Sequence, residues 1–456
     1  MEMGDHNNSL DNPREIALKV LYEVDVNNAY SNISLKRNLN HAFLKSVDRA
    51  FVTQLVYGVI KNKSRIDWII SQFSKTPIKK MSPWVLNILR LGIYQMIYLD
   101  KIPQSAAVNE SVKLGKRYGH KRIGGFINGI LRNISRASKE DLQPDQKNTI
   151  NFLSIYYSHP KWMVEKWLKE YGKDFTVDLL KKNNEVPSIS IRTNTLKISR
   201  KNLMELLQKE GIMVRKGQWC PESIIIENVS NIEKNKYFQK GLFQVQDQSS
   251  MLVAHVLDPK ENQLIIDVCA APGGKTTHIA QKMNNTGKII ARDIYDHKLS
   301  LIKQNIDRLD IANIKLENYN ALEFDSDLAG QADRVLLDAP CSGLGIIRRK
   351  PDLKWNKCSE DIQEITTLQY KMLENATKYL KKGGILVYST CTINADENFN
   401  IVRKFLERNP LFRLIPITAI SQRMKEHKEI EKGYFKVFPN IDSIDGFFIS
   451  KIQRVQ

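Results

Sequence analysis

The chain has 456 residues, 42% of them hydrophobic, which suits two or three globular domains. Its net charge of +19 points to a polyanionic partner such as nucleic acid. It holds no apolar run long enough to cross a bilayer, and its five cysteines are too few for a disulfide framework, so a membrane protein and a disulfide-stapled secreted fold are both excluded.

Met1 to Asn12 is polar and acidic and reads as neither signal peptide nor anchor. With the sparse cysteines, this places the protein in a reducing cytoplasm. Residues 13–136 read as helix throughout. Ile16, Val20, Leu21 and Val24 form one apolar face; Phe51, Val52, Leu55, Val56 and Val59 form another; Val85 to Ile97 continue the spacing. Pro103 and the Gly124-Gly125 pair mark breaks. The charge excess sits here: +10 over residues 1–150, against +5 over 151–260 and +4 over 261–456. Lys113, Lys116, Arg117, Lys121, Arg122, Arg132, Arg136 and Lys139 make either a solvated helix face or, if clustered, a phosphate footprint. Three stretches in this region, Asp48-Arg-Ala-Phe-Val-Thr-Gln-Leu-Val-Tyr-Gly-Val, Leu91-Gly-Ile-Tyr-Gln-Met and Ala106-Ala-Val-Asn-Glu-Ser-Val, resemble the antitermination-factor NusB family. The resemblance implies a small helical RNA-binding fold, with no reactive centre.

Ser135 to Asn148 reads as a linker. Beyond it, Trp162, Val164, Trp167 and Leu168 give a short helix. Ser188 to Thr195 alternates as a strand, Lys201 to Glu210 is helical, and Ser223 to Asn228 is a second strand: a small α/β unit. Arg192 and Asn194 are candidates for substrate contact, though a plain surface role is favoured for both.

From Asn262 the rhythm becomes strand, helix, strand, helix. Apolar runs end at Asp267, Asp293, Asp338 and Ser389. Such runs predict a doubly wound, mostly parallel α/β sheet, whose ligands sit beyond the carboxyl ends of the strands. The first run passes through a turn of small residues, Cys269, Ala270, Ala271, Pro272, Gly273 and Gly274, to Lys275 and a helix. The two glycines permit close backbone approach. Asp293, about twenty residues on, is placed to accept hydrogen bonds from ribose hydroxyls. The pyrophosphate-cradling glycine fingerprint of a nicotinamide site is missing, so a ligand with ribose and adenine but no phosphate fits better, and S-adenosylmethionine is the leading candidate. Gly446 to Ile452 is a late antiparallel strand.

Leu336-Leu-Asp-Ala-Pro-Cys-Ser-Gly puts Asp338 and Cys341 in one strand-end loop, and Val387-Tyr-Ser-Thr-Cys-Thr puts Cys391 in another. Structural cysteines more often lie inside apolar runs. Two thiols at two strand ends suit covalent catalysis on a pyrimidine, whose C5 carbon is a weak nucleophile until a thiolate adds at C6. A carboxyl such as Asp338 can assist by protonating or hydrogen-bonding N3. A thiol of ordinary pKa, about 8.5, must be held as thiolate; Arg348, Arg349 and Lys350 are candidates to help.

Together, Asp267-Val-Cys-Ala-Ala-Pro-Gly-Gly-Lys-Thr, Asp338-Ala-Pro-Cys-Ser-Gly, Lys350-Pro-Asp-Leu-Lys-Trp, Tyr388-Ser-Thr-Cys-Thr and Glu397-Asn398 resemble the RNA cytosine-5 methyltransferases. With the NusB-like region in front, nearly all of 13–452 resembles the bacterial enzymes that act on 16S ribosomal RNA. The resemblance implies that Cys391 is the nucleophile and that Cys341 assists product release. It also implies that Cys269 to Lys275, Asp293 and Asp338 hold S-adenosylmethionine; Asp267 either shares in this or orients the helix. Two positions depart from the family pattern: Asn320 stands where an Asp is frequent beside the adenine, and Lys350 where a His is frequent. Asn320 is expected to keep a weaker or re-angled contact. Cys220 and Cys358 match no motif.

The expected layout is a helical domain at 1–140, a small α/β domain at 150–250 and a Rossmann-like catalytic domain at 251–456. The expected partner is 16S rRNA, free or in a partly assembled small subunit, bound by a monomer without metal or membrane. Two other classes stand against this enzyme. One is a non-catalytic RNA-binding assembly factor with a relic methyltransferase domain, opposed by the intact thiols and glycine turn. The other is a nicotinamide-dependent dehydrogenase, opposed by the missing pyrophosphate motif and the charge.

Overall fold

A computed structural model describes residues 11–227, 229 and 231–455. Most of the Met1 to Asn12 stretch, and the Asn228 end of the second small strand, lie outside the described residues. The chain forms two compact units: Met1–Glu185 with Ile347–Asn356, and Val186–Ile346 with Lys357–Gln456. Among the described residues no helix is long and apolar enough to cross a membrane.

The first unit is helical. Its helices are Pro13–Val26, Ser31–His41, Ser46–Lys61, Lys63–Phe73, Pro83–Tyr98, Gln104–Tyr118 and Lys121–Arg136, then Thr149–Tyr156, Lys161–Tyr171 and Lys173–Asn184. The boundaries follow local chemistry. Asn12 and Ser82 cap the first turns of their helices with side-chain oxygens, each ahead of a proline at the first helical position. The apolar faces read from the sequence meet in one core that includes Leu18, Val20, Val56, Ile66, Leu89 and Leu131, all fully buried.

Gly124 and Gly125 do not break a helix; both lie inside Lys121–Arg136. The apolar spacing of Ile127, Ile130, Leu131 and Ile134 outweighs a cost of about 1 kcal/mol per glycine. Gly124 serves packing: a Cβ on it would lie 2.8 Å from Lys116 Cγ, and one on Gly115 opposite 2.5 Å from Ile127 Cδ1, whereas a Cβ on Gly125 would meet nothing within 4 Å. The eight basic side chains from Lys113 to Lys139 are exposed.

Residues 347–356 return to this unit from far along the chain. Lys354 is fully buried, and its ammonium donates to Lys61 O (3.1 Å), Ser158 O (3.0 Å) and Asn184 Oδ1 (2.7 Å). An ammonium has three N–H groups, and all are used. Trp355 Nε1 donates to Ile60 O at 2.9 Å, and Ser31 Oγ to Asp352 Oδ1 at 2.5 Å. Lys354→Ala is expected to destabilise the helical unit by about 3 kcal/mol, because three buried acceptors lose their donor. Helical circular dichroism against denaturant measures this; an unchanged midpoint would show that water replaces the ammonium without cost.

The second unit begins with strands β1 (Ile189–Thr193), β2 (Met213–Lys216), β3 (Ser223–Glu227) and β4 (Phe243–Val245), an antiparallel sheet in the order β2-β3-β1-β4. Helix Arg200–Lys209 covers one face through Leu203 and Leu207 against Ile191, Ile224 and Phe243. The short strands β2 and β4 were not read from the sequence. Helices Thr149–Tyr156, Lys161–Tyr171 and Lys173–Asn184, within the expected 150–250 stretch, cluster with the helical unit.

Eight strands follow: β5 (Leu264–Asp267), β6 (Lys288–Asp293), β7 (Ile314–Asn318), β8 (Ala332–Asp338), β9 (Leu380–Thr390), β10 (Phe412–Leu414), β11 (Tyr434–Val437) and β12 (Phe447–Arg454). Their order is β10-β12-β9-β8-β5-β6-β7, with β11 also on β12. Strands β5 to β9 run parallel, and β12 returns antiparallel along β9, as read from Gly446 to Ile452. Alternation divides the apolar runs between two cores. Ile266, Ile290, Val335, Leu337 and Leu386 face one way, and Ile265, Ile289, Ala291, Leu336 and Val387 the other. A sheet buried on both faces needs such continuous apolar strands. The strand order reverses between β5 and β8, the place where a crevice opens beyond the carboxyl ends.

Candidate active site

Asp267 ends β5 at that crevice. A cavity there is lined by Gln246, Asp247, Asp267, Cys269 to Pro272, Gly274, Lys275 and Asp338. The turn leads into helix Gly274–Lys282 through Gly273, whose φ of 93° favours glycine; a Cβ would also lie 2.9 Å from Ile302 Cγ2. The two oxygens of Asp267 differ in their partners. Its Oδ2 accepts from Thr276 Oγ1 at 2.7 Å and so holds the helix, while buried Oδ1 has no hydrogen-bond partner.

Burial, with Asp338 nearby, pushes Asp267 up to about 7 against the hydrogen bond from Thr276. The sign of the consequence is fixed. The folded protein keeps this proton to higher pH than the unfolded chain, whose aspartates titrate at about 3.9. The stabilising contribution is therefore full below that value and is lost as pH rises towards 7. The difference in denaturant midpoint between wild type and Asp267→Asn should shift against the wild type as pH rises through this window; a difference independent of pH would remove Asp267 as the source.

Asp293 lies beside the same turn. Its Oδ2 accepts from Ala271 N at 3.3 Å and its Oδ1 from Tyr295 N at 3.2 Å. Asn320 is partly buried and spends its amide locally, accepting from Leu322 N (3.1 Å) and donating to Glu323 (3.3 Å). Cys269 lines the cavity, and burial, helped by the Asp267, Asp338 and Asp293 carboxylates, raises its thiol far above the ordinary value, so it is poorly suited to act as nucleophile.

Asp338 ends β8, paired in register with Ser389 of β9. Both its oxygens accept: from Lys275 Nζ at 2.7 Å and from Ser389 Oγ at 2.8 Å. Just beyond these two ends the thiols meet, with Cys341 Sγ 3.3 Å from Cys391 Sγ. Both are partly buried. The hydrogen bond with Cys391, then burial, then nearby negative groups including Glu397, hold Cys341 well above the usual thiol range, so it keeps its proton.

Glu397 fixes the two loops to each other. Fully buried, its carboxylate accepts from Ser342 N (2.7 Å) and Ser342 Oγ (2.5 Å) beside Cys341, and from Asn394 Nδ2 (3.0 Å) beyond Cys391. Ser342 Oγ is also 2.9 Å from Thr392 Oγ1, and Gly345 N donates to Cys391 O at 3.0 Å. A Cβ on Gly345 would lie 2.0 Å from Gly446 O, so this approach requires glycine. The sequence offers Glu397 as part of a motif; its work as a strap emerges only from the fold.

Arg192 and Asn194 are not surface residues. Alternation along β1 puts Arg192 on the face opposite Ile191, and that face is covered by helix Gly274–Lys282. The Arg192 guanidinium donates to Gly274 O (2.6 Å), Thr277 Oγ1 (3.0 Å) and Gln246. Asn194 donates to Gly241 O and Leu309 O, both at 3.0 Å. The small sheet thus holds the start of helix Gly274–Lys282, a role that only the covered face reveals.

The sequence shows no Cys/His cluster, yet folding brings donor atoms of Cys220, Glu222 and His255 within 4.8 Å of one another. Glu222 Oε1 lies 2.8 Å from His255 Nε2 and 2.8 Å from His278 Nε2, and Lys282 Nζ lies 3.2 Å from His255 Nδ1. Burial works to raise Glu222, but the two imidazoles outweigh it and hold the carboxyl well below its ordinary range. With an ammonium already present, the group reads as a buried hydrogen-bond cluster.

Three family profiles match the chain. One is described as the 16S rRNA methyltransferase RsmB/F, over residues 254–453; one as the NusB family, over 11–136; and one as the ferredoxin-like domain of RsmF/B-like methyltransferases, over 159–233. The probable ribosomal RNA small subunit methyltransferase B of Bacillus subtilis (strain 168) is 37% identical across 97% of this chain and 98% of its own length. The crystal structure of PH0851 superposes with a TM-score of 0.83 at 28% identity, over 97% of this chain and 99% of that one. That of NSun6 from Pyrococcus horikoshii with SFG gives 0.58 at 28% identity, over 65% of this chain and 98% of that one.

Proposed function

Because the chain belongs to the RsmB/F family of S-adenosylmethionine-dependent 16S rRNA methyltransferases, we propose that it methylates C5 of a cytosine in 16S rRNA, with Cys391 as nucleophile and Cys341 assisting release. The observation that carries this reading is the 3.3 Å contact between the two thiols, next to Asp338 and the small-residue turn.

The cavity fits the cofactor. The turn from Cys269 to Gly274 lets a ligand approach the backbone, Asp267 offers an unpaired buried oxygen, and Lys275 and Asp338 close the far side. Cys269 to Lys275, Asp293 and Asp338 are the residues proposed to hold it, with Asn320 at the edge. When bound, S-adenosylmethionine supplies an electrophilic methyl group. Everything else is done by the chain.

Cys391 Sγ adds to C6 of a cytosine flipped out of its stack, and C5 becomes a carbon nucleophile. Cys341, keeping its proton 3.3 Å away, stabilises a thiolate on Cys391 by hydrogen bonding. Asp338 accepts on both oxygens and retains lone pairs for the exocyclic amino group of cytosine. This is a different part from the protonation or bonding of N3 suggested by the motif alone. Once Cys391 is bonded to C6, the hydrogen bond that raised Cys341 is gone and Cys341 gives its proton to water. As thiolate it then takes the C5 proton, the S–C6 bond breaks, Cys391 leaves as thiolate and aromaticity returns.

The exposed basic residues from Lys113 to Lys139 are proposed as phosphate contacts for the RNA. The three matched stretches support a division into 1–140, 150–250 and 251–456. A monomer in a reducing cytoplasm, acting without a metal, completes the proposal. Methylation of 16S rRNA, followed by digestion to nucleosides and mass spectrometry, tests the chemistry. 5-Methylcytidine is expected; an N4-methyl or ribose-methyl product would sink the covalent route.

A further inference from the structure

All five cysteines are free thiols, and two of them touch. We propose that Cys341 and Cys391 are also an oxidation site: a peroxide joins them in a reversible disulfide that closes the enzyme to its base. The bonded distance is about 2.05 Å, so the sulfurs, now at 3.3 Å, have about 1.2 Å left to close.

The two loops that carry the thiols are already tied to each other. Gly345 N is hydrogen-bonded to Cys391 O, Ser342 Oγ contacts Thr392 Oγ1, and Glu397 holds Ser342 and Asn394 from below. Both residues are partly exposed. The remaining cysteines sit in other settings. Cys220 is buried against Gln248 O, Cys269 is held protonated, and Cys358 lies exposed at the start of helix Ser359–Lys378.

With hydrogen peroxide as oxidant, the steps balance. Cys391 sulfur takes one oxygen as the O–O bond breaks, giving a sulfenic acid and one water. Cys341 sulfur then attacks that sulfur; the S–O bond breaks, and hydroxide leaves with the Cys341 proton as a second water. Two electrons and two thiol protons pass to the peroxide. That the bond stops turnover rests on the catalytic reading of both thiols; that the bond forms does not.

The test uses the full-length protein treated with hydrogen peroxide, alkylated, digested without reductant and analysed by mass spectrometry. The expected product joins the Cys341 and Cys391 peptides with loss of two hydrogens, and dithiothreitol separates them. In Cys341→Ser, oxidation should stop at a sulfenic acid on Cys391 that dimedone captures. Methyl transfer should fall in proportion to the joined fraction and return on reduction. Sulfinic acid without joined peptides, or a bond to Cys269 instead, overturns the proposal. A joined enzyme that still methylates overturns the switch. An error in the catalytic roles would show instead in the reduced single mutants, where no oxidant is present.

Discussion

Cys341→Ala is expected to accumulate a protein–RNA adduct that survives a denaturing gel, while Cys391→Ala forms no adduct and turns over no substrate. The two thiols are chemically alike and 3.3 Å apart, so their order of action cannot come from distance. It comes from the family resemblance, which gives Cys391 the attack on C6 and Cys341 the release. The hydrogen bond to Cys391, burial and Glu397 favour a proton on Cys341, in keeping with that order. Without it, the adduct forms and cannot resolve. Turnover should fall by about 10²–10⁴, the range for losing a positioned acid or base. Without Cys391 the reaction has no covalent route, and activity should drop to background. Should Cys391→Ala trap RNA and Cys341→Ala fail to, the roles are reversed.

Glu397→Ala is expected to cost about 2–4 kcal/mol of stability and more than tenfold in turnover. From the thiol-bearing loops the carboxylate accepts from Ser342 N, Ser342 Oγ and Asn394 Nδ2 at 2.5 to 3.0 Å and from Thr392 Oγ1 at 3.4 Å, inside a fully buried site where Gln369 Nε2 also donates at 3.4 Å. Removing it leaves Ser342 N–H and Asn394 without a partner, and each unpaired buried donor costs about 1–3 kcal/mol. It also frees one loop from the other, and a misplacement of 1 Å at reacting atoms can cost about 10² in rate. Because Glu397 acts through Ser342 and Asn394, Glu397→Gln should recover most of the stability while turnover stays low, since an amide presents only one acceptor to these donors. The separation of unfolding midpoint from kcat distinguishes a strap from a plain core residue; a Glu397→Gln enzyme with wild-type kcat would contradict the assignment.

How far the sequence carried depended on the reach of each signal. Apolar runs closed by Asp267, Asp293, Asp338 and Ser389 are local, and the sheet places them at strand ends as expected. The small-residue turn before Lys275 is equally local. Alternation showed that Arg192 and Ile191 face opposite ways, but it cannot tell what covers the second face; that depends on a helix more than eighty residues later, where Thr277 receives the Arg192 guanidinium. Gly124-Gly125 carried an ambiguous signal, since glycine both ends helices and lets them approach, and Gly115 opposite decides for approach. The family pattern, not a local signal, is what points to Asn320, and its amide bonds to Leu322 and Glu323 could not be read from the chain. Lys350 to Trp355 was legible as a motif but not as a destination.

That destination bears on how the protein is born. Synthesis runs from the amino end, so residues 1–185 leave the ribosome with the slot for Lys354 and Trp355 unfilled, and the whole of 186–346 must emerge before the missing piece arrives. Until then the carbonyls of Ile60, Lys61 and Ser158 face water, and the helical unit is a nascent intermediate awaiting its last element. The helical unit, made before the sheet, is completed only after most of the sheet has been made.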